Sequence, residues 1–297
     1  MYAKEQPSTI DYLLADMRKY FEDKNPSLLD LYDIYAAEAT FGRRYIASDL
    51  ESLAPYANIL EVGSGSMLLS CQLVREGFQV TALEPLGTGF SHFEQMRKIV
   101  LARAAILRCL PRSLHVTAEV LTERDTFDYA FSINVMEHVD SIPIVIEKIA
   151  ESLKTGASYR FTAPNYLFPY EPHFNIPILF SKRITEQIFE KRIYENKRVP
   201  DPSGTWKSLN WINVMQLRKI TNQFPGLKVT FNRWLLVATI ARIASDPIFA
   251  SRRSSIVRII LLMLVKTQLH RLFRFIPAEL QPIIDCTLQK TAIAEVS

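Results

Sequence analysis

The stretch Ile59-Leu60-Glu61-Val62-Gly63-Ser64-Gly65-Ser66 decides the fold of this chain. Asn58 to Val62 form a short apolar run of β-strand type that ends in a glycine turn. Gly63 and Gly65 can adopt backbone angles that are closed to other residues, and a ligand can approach their main chain closely. Residues 66–76 then follow a helical pattern. A strand, a glycine turn and a helix in this order predict a nucleotide-type binding loop.

An acidic residue ends the next predicted strand. Residues 78–83 read as a strand that runs into Glu84-Pro85. A carboxylate at this point can accept two hydrogen bonds from a ribose diol. Gly65 is followed by Ser66, Met67 and Leu68, so the third glycine of a dinucleotide loop is missing. The sequence therefore favours a ligand with an adenosine but without a pyrophosphate.

Strand and helix patterns alternate through the middle of the chain. Further strands are predicted over Ser113–Ala118, Phe127–Ile133, Ser158–Thr162 and Leu227–Trp234. Helical patterns cover about 90–108, 141–153 and 211–223. Such alternation predicts a parallel sheet with helices on both faces, and ligands in such sheets bind beyond the carboxyl ends of the strands.

Together these motifs resemble the class I S-adenosylmethionine-dependent methyltransferases. The glycine loop is similar to their first motif, and Leu83-Glu84-Pro85 is similar to their ribose-binding strand end. The strand that starts at Phe127 and the loop Asn134-Val135-Met136-Glu137-His138-Val139 resemble their fourth strand and its loop. The resemblance implies an α/β fold, with a Rossmann-like, seven-stranded, mostly parallel sheet. An N-terminal helical cap and a C-terminal helical insertion would complete this fold.

The resemblance also implies S-adenosylmethionine as the cofactor. The residues it assigns to cofactor binding are Glu61, Gly63, Ser64, Gly65, Glu84, Pro85, Ala118, Glu119 and Asn134. The loop backbone would contact the methionine part, Glu61 would orient its amino group, and Glu84 would hold the ribose. Met67 stands where the family has a final glycine. The usual aspartate of the adenine loop aligns with Thr117, so the role of Glu119 is open.

Two histidines are candidates for the chemistry of methyl transfer. If the acceptor is a hydroxyl, a base helps to remove its proton, and histidine suits this role near neutral pH. His173 lies in Tyr170-Glu171-Pro172-His173-Phe174, and His138 follows the fourth strand. We rank His173 first, with Glu171 as its orienting partner or as the base itself. The alternative for both histidines is a purely structural role in a packed loop.

The chain is predicted to divide into four segments. These are an N-terminal helical cap at 1–53, a methyltransferase core at 54–234, a basic helical segment at 235–290 and a last antiparallel strand within 291–297. An insertion rich in proline and aromatic residues, at about 165–205, would form the acceptor wall.

Residues 251–274 carry six basic residues and no acid. On one continuous helix, most of these charges and His270 would share an arc opposite Leu261, Leu262 and Leu269. This pattern is typical of a helix at the surface of an anionic membrane, which would favour a lipid-linked acceptor. It equally fits a helix packed on the sheet or on a second subunit, so the oligomeric state is open.

Composition narrows the remaining choices. The 297 residues are 48% apolar and 22% charged, as in ordinary folded proteins, and the formal charge of +4 is too small to indicate nucleic acid. The three cysteines, Cys71, Cys109 and Cys286, are far apart and odd in number. Their spacing predicts neither a metal site nor a disulfide framework, so we expect a cytoplasmic protein.

The predicted function is methyl transfer to a small-molecule, saccharide or lipid-linked acceptor, at oxygen. One alternative is an NAD(P)-dependent Rossmann oxidoreductase, but the only Tyr-x-x-x-Lys match, Tyr20 to Lys24, precedes the glycine loop. A second alternative is a non-catalytic scaffold that binds the cofactor or nothing. Asn134-Val135-Met136-Glu137 lacks the prolines that base-methylating enzymes often carry after the fourth strand, so no nucleic-acid partner is expected.

Overall fold

A computed structural model describes residues 9–85, 91–197, 199, 201–251 and 253–292. The α-helices are α1 (Thr9–Lys24), α2 (Leu29–Tyr45), α3 (Ala47–Leu50), α4 (Leu68–Arg75), α5 (Ser91–Ile106), α6 (Ile142–Ser152), α7 (Lys182–Tyr194), α8 (Pro202–Ser208), α9 (Val214–Thr221), α10 (Leu235–Ala241), α11 (Pro247–Ser251) and α12 (Ser255–Lys266). The strands are β1 (Asn58–Val62), β2 (Gln79–Leu83), β3 (Arg112–Leu114), β4 (Phe127–Ile133), β5 (Leu153–Pro164), β6 (Tyr170–Glu171), β7 (Ile176–Pro177), β8 (Leu227–Phe231) and β9 (Ile283–Lys290). Short 3₁₀ helices lie at Pro26–Leu28, Ala118–Val120, Arg242–Ala244, Leu269–Phe275 and Ala278–Leu280.

Seven strands form one mostly parallel sheet, in the order β3-β2-β1-β4-β5-β9-β8. The parallel pairing of β1 with β2 sets Val62 opposite Leu83, so both strands end at the same level. β9 is antiparallel to both β5 and β8. This architecture confirms the predicted α/β fold. β6 and β7 form a separate two-stranded hairpin.

The chain divides into two compact units, and the first covers Met1–Thr117 with Phe127–Tyr129. In this unit α1 packs against α2, α4 and α5. The packing is reinforced by an ion pair between Asp16 of α1 and Arg103 of α5, whose Oδ1 and Nη2 atoms are 2.7 Å apart. Tyr32 of α2 is buried and donates its hydroxyl to the carbonyl oxygen of Leu14. The N-terminal helices that the sequence predicts are therefore integral to this unit.

The second unit covers Ala118–Thr126 and Ala130–Ser297. Its centre is the long pairing of β5 with β9, which is secured by a salt bridge between Arg160 and the fully buried Asp285. Tyr159 of β5 is also buried, and its hydroxyl lies 2.7 Å from that of Ser132 in β4. Buried polar groups thus meet partners at each of these points, as a stable core requires.

Several predicted elements have different bounds in the structure. β1 and β4 have the predicted bounds, whereas the predicted strand 113–118 is reduced to Arg112–Leu114. Ala118 instead starts a 3₁₀ helix. β5 starts at Leu153 rather than at the predicted Ser158, and Gly156 lies inside the strand with a φ of 87°. Glycine allows the strand to continue through that angle.

The last strand was predicted too late in the chain. The antiparallel strand is β9, at Ile283–Lys290, which precedes the predicted range of 291–297. Residues 291 and 292 follow it, and 293–297 lie outside the described residues. The prediction of a basic helical segment over 235–290 therefore fails at its C-terminal end. Ile284, Cys286 and Leu288 alternate as buried residues with a period of two, which is a strand pattern.

The basic stretch is not one helix. α12 ends at Lys266, Gln268 has a φ of 61°, and a 3₁₀ helix follows. Because this break rotates the later residues, the single arc predicted for the charges does not exist. His270 is buried rather than on a charged face. The division of the chain into a cap, a core and a basic segment remains a prediction. Among the described residues, the helices are too short or too polar to cross a bilayer.

Candidate active site

The glycine loop is anchored to the end of β2. The backbone N–H groups of Gly63 and Ser64 donate to the carbonyl oxygen of Leu83, over 2.8 and 3.2 Å. Gly63 has a φ of 74° and Gly65 a φ of 48°, both in the left-handed region that favours glycine. The loop therefore uses both glycines as the sequence predicts.

Glu84 lies against this loop. Its Oε2 atom accepts a hydrogen bond from the backbone N–H of Gly65 over 2.9 Å. Burial raises the pKa of Glu84, although the Gly65 N–H and the charge of Arg97 act in the opposite direction. Pro85 follows at the strand end and is half-buried. The predicted ribose acid and the loop thus meet within the first unit.

Glu61 is a second acid of the first unit, and it is buried. It accepts a hydrogen bond from the hydroxyl of Ser70 in α4. Burial raises the pKa of Glu61 to about 8, and the charge of Glu84 adds to that rise. Glu61 therefore holds a proton at neutral pH and would ionise if a cation came close.

Met67 occupies the position of the family's final glycine. Its φ is 63° and its side chain is fully buried beside the start of α4. The backbone thus adopts a glycine-like conformation without glycine, at a cost of about 1–2 kcal/mol. Burial of the methionine side chain offsets that strain.

The predicted adenine-side and sulfonium-side residues lie in the second unit. Ala118 is buried, and the Oε1 atom of Glu119 accepts hydrogen bonds from the N–H groups of Asp140 and Ser141. Glu119 thereby binds the chain just before α6, and its adenine role remains a prediction. Asn134 has a φ of 56° and donates its N–H to the carbonyl oxygen of Thr162.

The second unit also contains what we call the histidine cluster, made of Glu137, His138, Glu171 and His173. Glu171 ends β6 and His173 lies in the hairpin turn that follows. The His173 Nδ1 and Glu171 Oε1 atoms are 2.6 Å apart. The Glu171 side chain is completely buried, whereas that of His173 is 25% exposed. Glu171 also accepts hydrogen bonds from the N–H groups of His173 and Phe174, which fixes the turn.

His138 approaches His173 from the loop after β4. The ring centroids are 5.4 Å apart and the rings are edge to face. His138 Nδ1 lies 2.8 Å from the hydroxyl of Ser208. Burial, with the charges of His173 and Lys182, lowers the pKa of His138 to about 3. Burial acts to lower the pKa of His173, but hydrogen bonding to Glu171 raises it above its usual value.

Glu137 completes the cluster, and the sequence analysis did not assign it a role. Its side chain is buried, and neither carboxylate oxygen has a hydrogen-bond partner among the described residues. Burial raises its pKa to about 7. Asn210 holds the backbone around it by donating its side-chain amide to the carbonyl oxygens of Met136 and Val139. The signal that could have identified Glu137 is its position next to His138 in a strand-end loop.

A family model described as a methyltransferase domain matches residues 11–224. The chain belongs to the class I S-adenosylmethionine-dependent methyltransferases. This methyltransferase is 43% identical, over 281 residues and 95% of each chain, to uncharacterized proteins from two strains of Mycobacterium tuberculosis. It is also similar to a crystal structure of Haemonchus contortus phosphoethanolamine N-methyltransferase 2 in complex with S-adenosyl-L-methionine. That match has 14% identity and a TM-score of 0.52, and it covers 98% of this chain and 62% of that one.

The loop of the methyltransferase has an unsatisfied polar atom that fits a bound cofactor. The hydroxyl of Ser64 is buried and has no hydrogen-bond partner among the described residues. Such a group costs about 1–3 kcal/mol unless a ligand or water satisfies it. Together with the acids Glu61 and Glu84, it offers acceptors and a donor to a ligand that has an ammonium group and a ribose.

An aromatic group holds the predicted acceptor-wall insertion of the methyltransferase. Tyr166 stacks on Trp211 with ring centroids 5.4 Å apart, and Trp206 meets Trp211 edge-on. The hydroxyl of Tyr166 donates to Oε1 of Glu171. Sequence reasoning predicted an insertion here but not this packing, because its members are far apart along the chain. The packing fixes the hairpin that carries His173.

Proposed function

We propose that this methyltransferase transfers a methyl group from S-adenosylmethionine to a hydroxyl oxygen of a small-molecule, saccharide or lipid-linked acceptor. The observation that carries the proposal is the pair formed by His173 and Glu171. A buried carboxylate against Nδ1 of a partly exposed imidazole is an arrangement suited to removing a proton from a hydroxyl.

The glycine loop would hold the cofactor. Its backbone at Gly63 and Gly65 accommodates the methionine part, Glu61 receives the ammonium group and Glu84 the ribose hydroxyls. Carboxylates are suited to both tasks, since they accept hydrogen bonds and neutralise a cation. Ala118, Glu119 and Asn134 would complete the binding of the adenine and of the sulfonium end.

The chemistry needs little beyond alignment and one proton transfer. When bound, the cofactor supplies a methyl group on a cationic sulfur, which the acceptor oxygen attacks in line. His173 would take the acceptor's proton at Nε2, because its Nδ1 is engaged by Glu171. Glu171 is a positioning residue in this scheme. His138 is the second candidate for the base.

One surface of α12 favours an acceptor at a membrane. Ile256, Ile259, Ile260 and Met263 form an outward stripe at helical spacing, and each is more than half exposed. We call this stripe the α12 surface. On the other side of the helix, Leu261 and Val265 pack against the cluster of Ile243, Phe249 and Ala250.

Between Ser251 and Ala278 the sequence contains basic residues and no acid. An acyl boundary therefore matches the apolar α12 surface, and anionic head groups match the basic residues of the same stretch of sequence. We place the methyltransferase in the cytoplasm, at the inner face of a membrane. Its three cysteines are buried and free, which is consistent with a reducing compartment.

Vesicle sedimentation tests the membrane contact. The protein should bind vesicles of phosphatidylglycerol and phosphatidylcholine, and phosphatidylcholine alone should bind it at least tenfold less. A double Ile259→Glu, Met263→Glu variant should lose the binding, because both side chains are exposed and their replacement leaves the core intact. Equal binding by this variant would contradict the proposal. So would a dimer in sedimentation that the same variant dissociates, since the stripe would then be a subunit interface.

A transfer assay tests the function itself. The protein is mixed with methyl-labelled S-adenosylmethionine and a panel of phenols, glycosides and lipid-linked saccharides, and labelled product is identified by mass spectrometry. The His173→Ala variant should lose at least 100-fold in rate while it retains its cofactor affinity. His115→Ala is the control, because His115 is exposed in the first unit. Methyl transfer to nitrogen or carbon alone, or full activity of the His173→Ala variant, would contradict the proposal.

A further inference from the structure

The histidine cluster has a second property that the proton-transfer role does not use. One candidate ligand atom from each of Glu137, His138 and His173 lies within 4.8 Å of the other two. The Glu137 carboxylate, which has no hydrogen-bond partner among the described residues, is one of these groups. A buried carboxylate without donors is costly, and a cation would remove that cost.

We propose that Glu137, His138 and His173 bind a divalent transition-metal cation of the zinc class. Two imidazoles and one carboxylate are a donor set used by catalytic zinc sites that keep an open position. Mixed nitrogen and oxygen donors also suit iron, cobalt and nickel. Calcium and magnesium are disfavoured, because both prefer oxygen ligands throughout.

The surroundings of the two imidazoles support this assignment. Nδ1 of His173 contacts Glu171, and Nδ1 of His138 contacts the hydroxyl of Ser208. Metal-binding histidines usually donate their other ring N–H to a carboxylate, carbonyl or similar oxygen, which fixes the ring and its tautomer. Nε2 of each ring would therefore be the metal-binding nitrogen.

The segments that carry the ligands are held from outside the site. Asn210 bonds the loop of Glu137 and His138, and its own N–H donates to the carbonyl oxygen of Glu137. Zinc bonds of about 2.0–2.2 Å bring ligand atoms to roughly 3–3.5 Å of one another. The ligand atoms, which now lie within 4.8 Å of one another, would therefore move together by up to about 1–2 Å when a cation binds.

This inference deepens the proposed function, and its catalytic part rests on that function. A cation at this position would bind the acceptor's hydroxyl oxygen at its open position and lower the pKa of that hydroxyl. In the metal-loaded protein His173 would be a ligand, which revises its role as the base in the proposed function but leaves methyl transfer to oxygen unchanged. The proton would leave to solvent. The resulting oxyanion would attack the methyl group, whose bond to sulfur would break and release S-adenosylhomocysteine.

Cobalt substitution tests the site without any acceptor. The metal-free protein is titrated with Co²⁺ alone, and the visible absorption bands of the bound ion are recorded. We expect one Co²⁺ per chain, displaceable by Zn²⁺. Glu137→Gln and His173→Ala should each weaken binding at least tenfold, and His115→Ala should leave it unchanged. Glu137→Gln is nearly isosteric and introduces no buried charge, so it should fold.

Two results would overturn the inference. One is the absence of visible cobalt bands at stoichiometric metal. The other is equal cobalt affinity in the wild type, Glu137→Gln and His173→Ala proteins. Either result would leave the proposed methyl transfer standing if the His173→Ala variant lacks transferase activity. Conversely, cobalt binding with no methyl transfer to the acceptor panel would support the metal site and contradict the proposed function.

Discussion

The glycine loop of the first unit and the histidine cluster of the second unit are built in different ways. The loop comes from one continuous stretch, with a single acid added from the end of the adjacent strand β2. The cluster collects its side chains from the loop after β4 and from the β6–β7 hairpin, and α8 supplies Ser208. The comparison teaches that a backbone-based site can be read from local sequence, whereas a side-chain-based site depends on tertiary packing.

Their electrostatics differ as well. In the loop region, burial raises the pKa values of both Glu61 and Glu84. Within the part of the chain that the structure describes, neither acid is hydrogen-bonded to a cationic side chain. In the histidine cluster, Glu171 is already paired with His173. The loop is therefore suited to a cationic ligand. The histidine cluster, in which Glu171 is already paired, is suited to proton transfer or metal binding rather than to holding a cationic ligand.

The largest effect should come from the loop backbone. In Gly65→Ala a methyl group would stand where the cofactor approaches the main chain, so we expect S-adenosylmethionine affinity to fall more than 100-fold in calorimetry. Gly77→Ala is the matched control. Gly77 has a φ of 95° and open space around the added carbon, so the control shares the backbone strain but not the contact. Equal losses in both variants would show that strain alone explains the effect.

A change in the histidine cluster should cause a loss of similar size, but in the rate of methyl transfer and not in cofactor affinity. Glu171→Gln places an amide where four donors converge, so His173 loses its fixed orientation. We expect transfer to slow about 100-fold, with cofactor affinity unchanged within twofold. Steady-state rates and calorimetry measure these two quantities separately. Glu190→Gln, on the exposed side of α7, is the control. A parallel loss of cofactor affinity would mean that the two sites are not separable as described.

The strain at Met67 can be measured as stability. Met67→Ala should destabilise the protein by about 3 kcal/mol, because a buried side chain is lost. Met67→Gly should lose only about 2 kcal/mol, since glycine relieves the left-handed backbone. Urea unfolding gives both values. Glycine less stable than alanine, as in an ordinary helix, would contradict the strain assigned to this position.

Glu61 should make cofactor binding depend on pH. Burial raises the pKa of Glu61 to about 8, so under the proposed binding mode it would lose its proton when the ammonium group binds. Affinity should therefore rise about tenfold from pH 6 to pH 7, with proton uptake by the buffer. Glu61→Gln should remove this dependence. Calorimetry in buffers of different ionisation enthalpy counts the protons, and a count of zero in the wild type would contradict the assignment.

The same group has a linked effect on the free protein. Between the ordinary value of 4.5 and about 8, the unfolded chain has lost the Glu61 proton and the folded chain retains it. The contribution of Glu61 to folding stability therefore falls as pH rises through this window, by up to about 1.4 kcal/mol per pH unit. Melting curves at pH 5 and pH 7 should show a smaller decline in Glu61→Gln than in the wild type.

The same comparison explains which parts of the fold and of the candidate site the sequence predicts. Local patterns of strand, turn and strand end were enough to predict the bounds of β1 and β4. The same patterns predicted the two loop glycines and the acid Glu84. β9 was missed because its period-two pattern is short and directly follows a long helical stretch, so it was assigned to the helical segment. The strand was predicted after it instead. The sequence offered Glu171 as an orienting partner of His173 or as the base itself, and the two side chains are in contact in the structure. The burial of Glu137 and its lack of hydrogen-bond partners among the described residues were not predicted, because both are properties of the packed chain.

The break after Lys266 illustrates a further limit. A helical wheel assumes a continuous helix. The residues around Gln268 have no local pattern that predicts a left-handed backbone conformation there. The buried His270 follows from that break. A charge pattern over a long predicted helix therefore indicates which residue types are present, but not which of them share one face of the folded protein.

The most direct test is the affinity of Glu84→Ala for S-adenosylmethionine, measured by calorimetry beside Glu94→Ala. Glu94 is an exposed acid of α5 that pairs with Lys98, so its removal should leave binding intact. Glu84→Ala should bind at least 30-fold more weakly than the wild type, because the ribose hydroxyls lose their acceptor. Wild-type affinity in Glu84→Ala would contradict the placement of the cofactor on the glycine loop.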